Sequence, residues 1–308
     1  MGKGAKRATK NVKKHDTDDS EEDRTSDNDA SSSVANTSVA ADRTEDSDGL
    51  SESVEKLSEK RASLRESGLK TLLKILRGSN VLMVEAVRDF VDTVCTSLIR
   101  ILRRPASARE GGLCLEVYCL ICLLVGPDEV ELFDQFEPIL LKLVSGNSNL
   151  EDLRVPSISA LAFSSFICAN DAHYRVMTLC EDILCGESEG EPATSTLKAR
   201  AAASWSLLAS VNAEAAVLAR CKERIFDEVV ELLEDNESDV KISAGLTLAG
   251  LWEIADSSMP EVDYTISGLE LCENPAKIAQ AVVLLQKVAK ESSKRISKKD
   301  KKEQVLLI

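Results

Sequence analysis

The stretch SLRESGLKTLLKIL, residues 63–76, returns four times in altered form: SAREGGLCLEVYCL at 107–120, DLRVPSISALAFSS at 152–165, TLKARAAASWSLLA at 196–209 and DVKISAGLTLAGLW at 239–252. Aligned on one base apiece (Arg65, Arg109, Arg154, Lys198 and Lys241), the segments stand 44, 45, 44 and 43 residues apart. Apolar residues recur within them at spacings of three and four, the period of a helix with one buried face. Three residues after each base stands a small one: Gly68, Gly112, Ser157, Ala201 or Ala244. Small residues there predict that neighbouring helix backbones approach closely. Seven residues after the base comes a large apolar side chain, Leu72, Leu161, Trp205 or Leu248, with Glu116 the exception.

Second amphipathic helices are predicted between these segments, over 84–103, 129–145, 172–185, 213–234 and 275–290. Breakers fall where turns are needed, at Gly78, Pro105, Pro127, Gly146, Pro192 and Asn236. A helix pair repeating every 40–47 residues or so is the HEAT or armadillo signature. One pair cannot bury its apolar face alone, so the pairs must stack. The predicted fold class is therefore all-α, a HEAT/armadillo-like α-solenoid of about five helix pairs.

Composition agrees. The 308 residues include 4% aromatics and 14 glycines, too few for a turn-rich β-sandwich or barrel. The 44% hydrophobic content suffices for a sizeable core. No apolar run lies in the first 50 residues, so no secretory leader is expected. The longest apolar stretch, 113–126, is interrupted by Glu116 and too short for a bilayer. An intracellular, soluble chain with no membrane partner is expected, and its nine cysteines then read as reduced, inert core thiols. Cys119 and Cys122 form a single CxxC with no second pair or nearby His to complete a zinc site.

The net charge of −14 hides unlike blocks. Residues 1–14 carry six bases and no acid, whereas residues 15–60 carry 15 acids and four bases. Residues 61–109 are net +6, residues 110–286 net −20, and the chain from Lys287 net +5. Three domains are expected: a disordered, basic-then-acidic, Ser-rich arm at 1–57, an α-solenoid at 58–290 and a basic tail at 291–308. In the arm, Ser20, Ser26 and Thr44 precede acids and suit an acid-directed kinase, although a purely solvating acidic linker is the plainer reading. In the tail, Lys294, Arg295, Lys298, Lys299, Lys301 and Lys302 are dense enough for a nuclear-localisation signal or an RNA-phosphate contact; a solvated helix end is the alternative.

The five aligned bases read either as a phosphate-binding ladder or as a structural one. The structural ladder is favoured, because stacked repeats need polar bonds from one repeat to the next, with Asp152 and Asp239 placed to serve. No chemistry is legible. The two histidines, His15 and His173, join no nucleophilic or metal-binding constellation, and no Gly-rich phosphate loop occurs. No catalytic residue, metal, cofactor or small-molecule substrate is assigned, and the acidic repeats are expected to bind protein partners. Trp205 and Trp252 are followed four residues later by Ala209 and Asp256, not by the Asn of armadillo import adaptors, and read as packing residues.

Four segments carry a family resemblance: EKRASLRE at 59–66, LLVGPDEVELFDQFEPILLKLV at 123–144, NESDVKISAGLTLAGLWEIAD at 236–256 and KESSKRISKKDKKEQ at 290–304. Together they resemble the N-terminal helical-repeat domain of the interferon-related developmental regulator family. The resemblance implies a non-enzymatic regulator moving between nucleus and cytoplasm. It implies either a transcriptional co-regulator in deacetylase-containing complexes or a ribosome-binding factor that silences translation. Family members continue past the basic run into a further segment implicated in ribosome contact, whereas this sequence ends at Val305-Leu306-Leu307-Ile308. The scaffold reading is accordingly placed before the ribosomal one.

Overall fold

The computed structural model describes residues 49–78, 87–127, 129–146, 150–188, 190–212, 215–257 and 271–306. Among them the regular structure is helical, with no strand. The order is α1 (49–57), α2 (Ala62–Gly78), α3 (Val91–Arg103), α4 (Ala108–Val125), α5 (Val130–Val144), α6 (Arg154–Cys168), α7 (His173–Cys185), α8 (Ser195–Ala209), α9, α10 (Ser238–Ser257) and α11 (Pro275–Leu306). Helix α9 runs Ala215–Arg220, passes through a π turn at Cys221–Ile225 and resumes at Phe226–Leu232.

The five aligned segments become α2, α4, α6, α8 and α10, the first helices of five pairs. These first helices lie side by side in chain order, and second helices pack on the first helix of the following pair, as α5 does on α6 and α7 on α8. One apolar core runs from Leu50 to Val288. The starts follow from local chemistry. Ser107 caps α4 by accepting from the Glu110 N–H at 3.0 Å, and Thr194 caps α8 by accepting from the Leu197 N–H at 3.2 Å. Asn274 accepts from the Ala276 N–H at 3.0 Å, with Pro275 at the first position of α11.

The small residues do what their spacing predicts in four pairs. Ser157, Ala201 and Ala244 have no solvent access. A Cβ on Gly68 would stand 2.7 Å from the Ser53 carbonyl oxygen of α1. The second pair departs. A Cβ on Gly112 would meet nothing within 4 Å, whereas one on Gly111 would lie 2.5 Å from Leu153 Cδ1. The register there is shifted by one residue, so Ala108 takes the place assigned to Arg109 and buried Leu115 that assigned to Glu116. The exception at Glu116 is thereby removed.

Two domain boundaries also move. Residues 49–57, assigned to the disordered arm, form α1, and Leu50, Val54 and Leu57 are buried in the core. Their i, i+4, i+7 spacing is a helical stripe made inconspicuous by the Ser and Glu residues around it. At the other end there is no break at 290: the α11 backbone continues through the basic run to Leu306. Residues 1–48, the remainder of the arm, lie outside the described residues.

The shifted register makes opposite predictions for adjacent glycines. Gly112→Ala should raise stability by about 0.5–1 kcal/mol through helix propensity. Gly111→Val should lower it by about 1–3 kcal/mol through overpacking against Leu153. Urea denaturation of both variants reads the order, and a reversed order would restore the register aligned on Arg109.

Candidate functional site

The aligned bases are occupied within the fold. Arg65 Nε donates to Glu110 Oε1 of the next pair at 2.7 Å, and its Nη1 donates to the carbonyls of Glu59 and Lys60 at 3.0 and 2.8 Å. Arg154 is 3% exposed and donates to the carbonyls of Val144, Glu191 and Pro192 at 2.9, 2.8 and 2.9 Å. It thereby ties the end of α5 to the loop that leads into α8. Gly190 lets that loop approach: a Cβ there would lie 2.2 Å from the Ser145 carbonyl oxygen. Lys198 and Lys241 pair with Glu228 and Glu291 at 3.5 and 3.6 Å. Arg109 alone has a mostly exposed side chain, 3.7 Å from Glu66, as its out-of-register position requires. The structural ladder is what the sequence favoured, but the partners differ: Asp152 and Asp239 are exposed, and Glu110 and the loop carbonyls take the role given to them.

Two buried carboxylates anchor the junctions between pairs. Glu110 has no solvent access, and besides Arg65 its Oε2 accepts from the Ala106 N–H at 2.7 Å. Glu181 of α7 is 2% exposed; its Oε1 accepts from the Trp205 indole N–H at 2.8 Å and forms an ion pair with Arg220 Nε, 2.8 Å away. Arg224 Nε stands 4.0 Å from Glu181 Oε2, and its Nη2 lies 3.5 Å from Asp182 and also pairs with Glu187. Arg220 immediately precedes the π turn and Arg224 lies within it, so a local widening of α9 accompanies the turning of two guanidiniums onto one acidic cluster. Trp205 is thus a packing residue with its N–H satisfied.

His173 is equally structural. Its Nδ1 faces the Asn212 amide at 2.9 Å and its Nε2 faces the Ser165 carbonyl at 3.1 Å, which assigns the Nε2–H tautomer. All nine cysteines are free. Burial pushes the Cys95, Cys119 and Cys221 thiols up to about 12, with help from Asp92, Glu116 and Cys272 respectively. Cys114 and Cys180 are raised by the same cause. Such thiols stay protonated at neutral pH. Among the described residues no group of three or more His, Cys, Asp or Glu is placed to hold a metal ion, and no helix is long and apolar enough to cross a membrane.

One surface left open to a partner is apolar. A groove of about 640 Å³ runs across α4, α6 and α8. Its lining repeats from helix to helix: Ser159 and Ala203 stand five residues after the base, and Phe163 and Leu207 nine after it. Leu120 and Leu123 continue it on α4, with Leu123 54% exposed. Leu246, again five after the base, extends the series on α10 and is 71% exposed. The exposed Arg77–Glu116 pair, 2.7 Å apart, borders one end, and Arg200 lines the α8 side. These positions lie off the core stripe; the only signal for them in the sequence is the recurrence of small or apolar residues at fixed offsets from the base.

The predicted basic and hydroxyl sites do not converge on this groove. Ser20, Ser26 and Thr44 lie outside the described residues. Lys294, Arg295, Lys298, Lys299, Lys301 and Lys302 follow one another along the α11 backbone, and their side chains are outside the described residues. Of the ten bases in residues 61–109, Arg65, Lys70, Arg77, Arg88, Arg100 and Arg109 are engaged within the chain, which leaves Arg61, Lys74, Arg103 and Arg104 exposed on the surface.

Comparison with known proteins gives one family. The family model described as interferon-related developmental regulator matches residues 16–305. A mouse (Mus musculus) protein, interferon-related developmental regulator 2, is 24% identical over 263 residues, or 82% of this chain. The chain spans 56% of that relative's length. A crystal structure of an engineered protein covers 78% of this chain and 97% of its own at 16% identity, with a TM-score of 0.44.

The Glu181 junction should be among the costliest to break. Glu181→Ala leaves the Arg220 guanidinium and the Trp205 indole N–H without their buried carboxylate and should cost about 3–5 kcal/mol. Lys198→Ala removes a half-exposed pair and should cost under about 1 kcal/mol. Chemical denaturation of both variants measures the contrast, and equal losses would place Glu181 outside the framework.

Proposed function

Because this chain belongs to the interferon-related developmental regulator family, a family of regulators, we propose that it is a non-enzymatic scaffold in gene regulation, a transcriptional co-regulator that gathers protein partners on its stacked helix pairs. The observation that carries this reading is the apolar groove across α4, α6 and α8. An exposed apolar strip of this kind suits the buried centre of a protein–protein contact, whereas a nucleic-acid surface would be lined with bases. The bases of the aligned ladder support the same reading, since they are already bonded within the chain. The partners are components of deacetylase-containing co-regulator complexes. The protein works in nucleus and cytoplasm, with the 294–302 bases directing nuclear entry and phosphorylation at Ser20, Ser26 and Thr44 adding charge to the acidic arm.

A ribosome- or RNA-associated repressor of translation is the rival, supported by exposed Arg61, Lys74, Arg103 and Arg104 together with the basic run. Sedimentation of cell extract through sucrose, paired with nuclear deacetylase pull-down, separates the two. The scaffold reading expects the chain near the top of the gradient and in the pull-down, with Phe163→Glu losing the latter. Salt-sensitive co-migration with ribosomal subunits, abolished when the 294–302 bases are neutralised, would overturn it.

A further inference from the structure

We propose that Ser63 is a phosphorylation site for a basophilic serine/threonine kinase, placed at the start of the repeat stack. The order Lys60-Arg61-Ala62-Ser63-Leu64 sets bases three and two residues before a hydroxyl and an apolar side chain directly after it. Kinases select substrates by such charge patterns: carboxylates in the groove read the upstream bases, and an apolar pocket receives the next side chain. This pattern is opposite in sign to the acid-directed one at Ser20, Ser26 and Thr44.

The geometry leaves the whole motif within reach. Lys60, Arg61, Ser63 and Leu64 are exposed, Leu64 at 37% in spite of its apolar character. Residues 58–61 form the turn between α1 and α2, so both bases already lie outside regular helix. Ser63 is the second residue of α2, in a first turn held by the Leu64 and Arg65 N–H groups donating to the Arg61 carbonyl at 3.1 and 3.2 Å. Opening that turn and the two Arg65 bonds to Glu59 and Lys60 extends the segment into a kinase groove, and helix ends open most readily. The Ser63 oxygen then attacks the γ-phosphorus of a nucleoside triphosphate held by the kinase. An O–P bond forms and the bond from that phosphorus to the bridging oxygen breaks. The hydroxyl proton passes to the kinase's catalytic carboxylate and the nucleoside diphosphate leaves.

The consequence follows from charge. Arg100 Nη2 donates to the Leu57 carbonyl at 2.6 Å, which holds the end of α3, with Arg103 and Arg104, beside the end of α1. A phosphate on Ser63 brings about −1.5 to −2 of charge to this basic corner and places it at the positive end of the α2 dipole. It lowers the affinity of the first pair for polyanions while favouring the start of α2.

The test uses the full chain with ATP and the catalytic subunit of cyclic-AMP-dependent kinase, with sites mapped by peptide mass spectrometry. Mapping is needed because Lys-Arg-x-hydroxyl recurs at Thr9 and Ser297. Phosphate is expected on Ser63, absent from Ser63→Ala and slowed about tenfold in Arg61→Ala, the loss of one ion pair with the kinase. Ser63→Ala should melt at the wild-type temperature, since the side chain is exposed. The phosphorylated chain should leave heparin at lower salt than the unmodified one. Phosphate confined to Thr9 and Ser297 overturns the site, as does a 56–68 peptide modified while Ser63 of the full chain is not. Failure of both peptide and chain overturns it equally, and unchanged heparin elution after Ser63 modification overturns the charge role.

Discussion

Glu110 and Glu181 are buried carboxylates, and the stack depends on how each is paired. Removing such a charge from solvent costs several kcal/mol unless its oxygens are fully bonded. Both gain their charged or N–H partners only when neighbouring helix pairs are assembled. Glu110 needs Arg65 from the preceding pair, and Glu181 needs Trp205 and Arg220 from the following one. Apolar burial favours many arrangements of amphipathic helices, whereas these bonds favour one register. Arg154 plays the same part through three carbonyls instead of a carboxylate.

Much of this was legible in the sequence. The period of 43–45 residues located the first helix of every pair, and the structural role of the bases followed from what stacked repeats require. The one-residue error at Arg109 has a simple origin. Two glycines stand together at 111 and 112, and alignment on the base chose the one facing open space. Helix α1 was missed because three apolar residues in a polar stretch are a weak signal until Gly68 supplies a surface for them. Glu110 had a trace, since Ser107-x-x-Glu is a capping pattern. Glu181 had none: nothing local distinguishes it from Asp182 beside it, and only the third dimension brings Trp205 and Arg220 to it.

The same bonds determine what the surface has left to offer. Bases that look like a phosphate ladder in an alignment are engaged with carbonyls and carboxylates. Among the ten bases of residues 61–109 only Arg61, Lys74, Arg103 and Arg104 are left exposed without such a bond, and Ser63 stands two residues from Arg61. The acidic total of residues 110–286 overstates the available negative charge in the same way, because Glu110, Glu181 and Asp182 already face guanidiniums. The feature that recurs from helix to helix without an intramolecular partner of this kind is the apolar groove over α4, α6 and α8, the basis for reading the chain as a protein scaffold.

The dependence of the stack on paired buried charge is most directly measured by a double-mutant cycle on Arg65 and Glu110. Arg65→Ala, Glu110→Ala and the double variant would be unfolded in urea alongside the wild type. A coupling energy of about 1–3 kcal/mol, with Glu110→Ala alone among the more costly single changes, is the predicted result. Additive losses, within about 0.3–0.5 kcal/mol, would contradict the account and leave apolar packing alone to set the register.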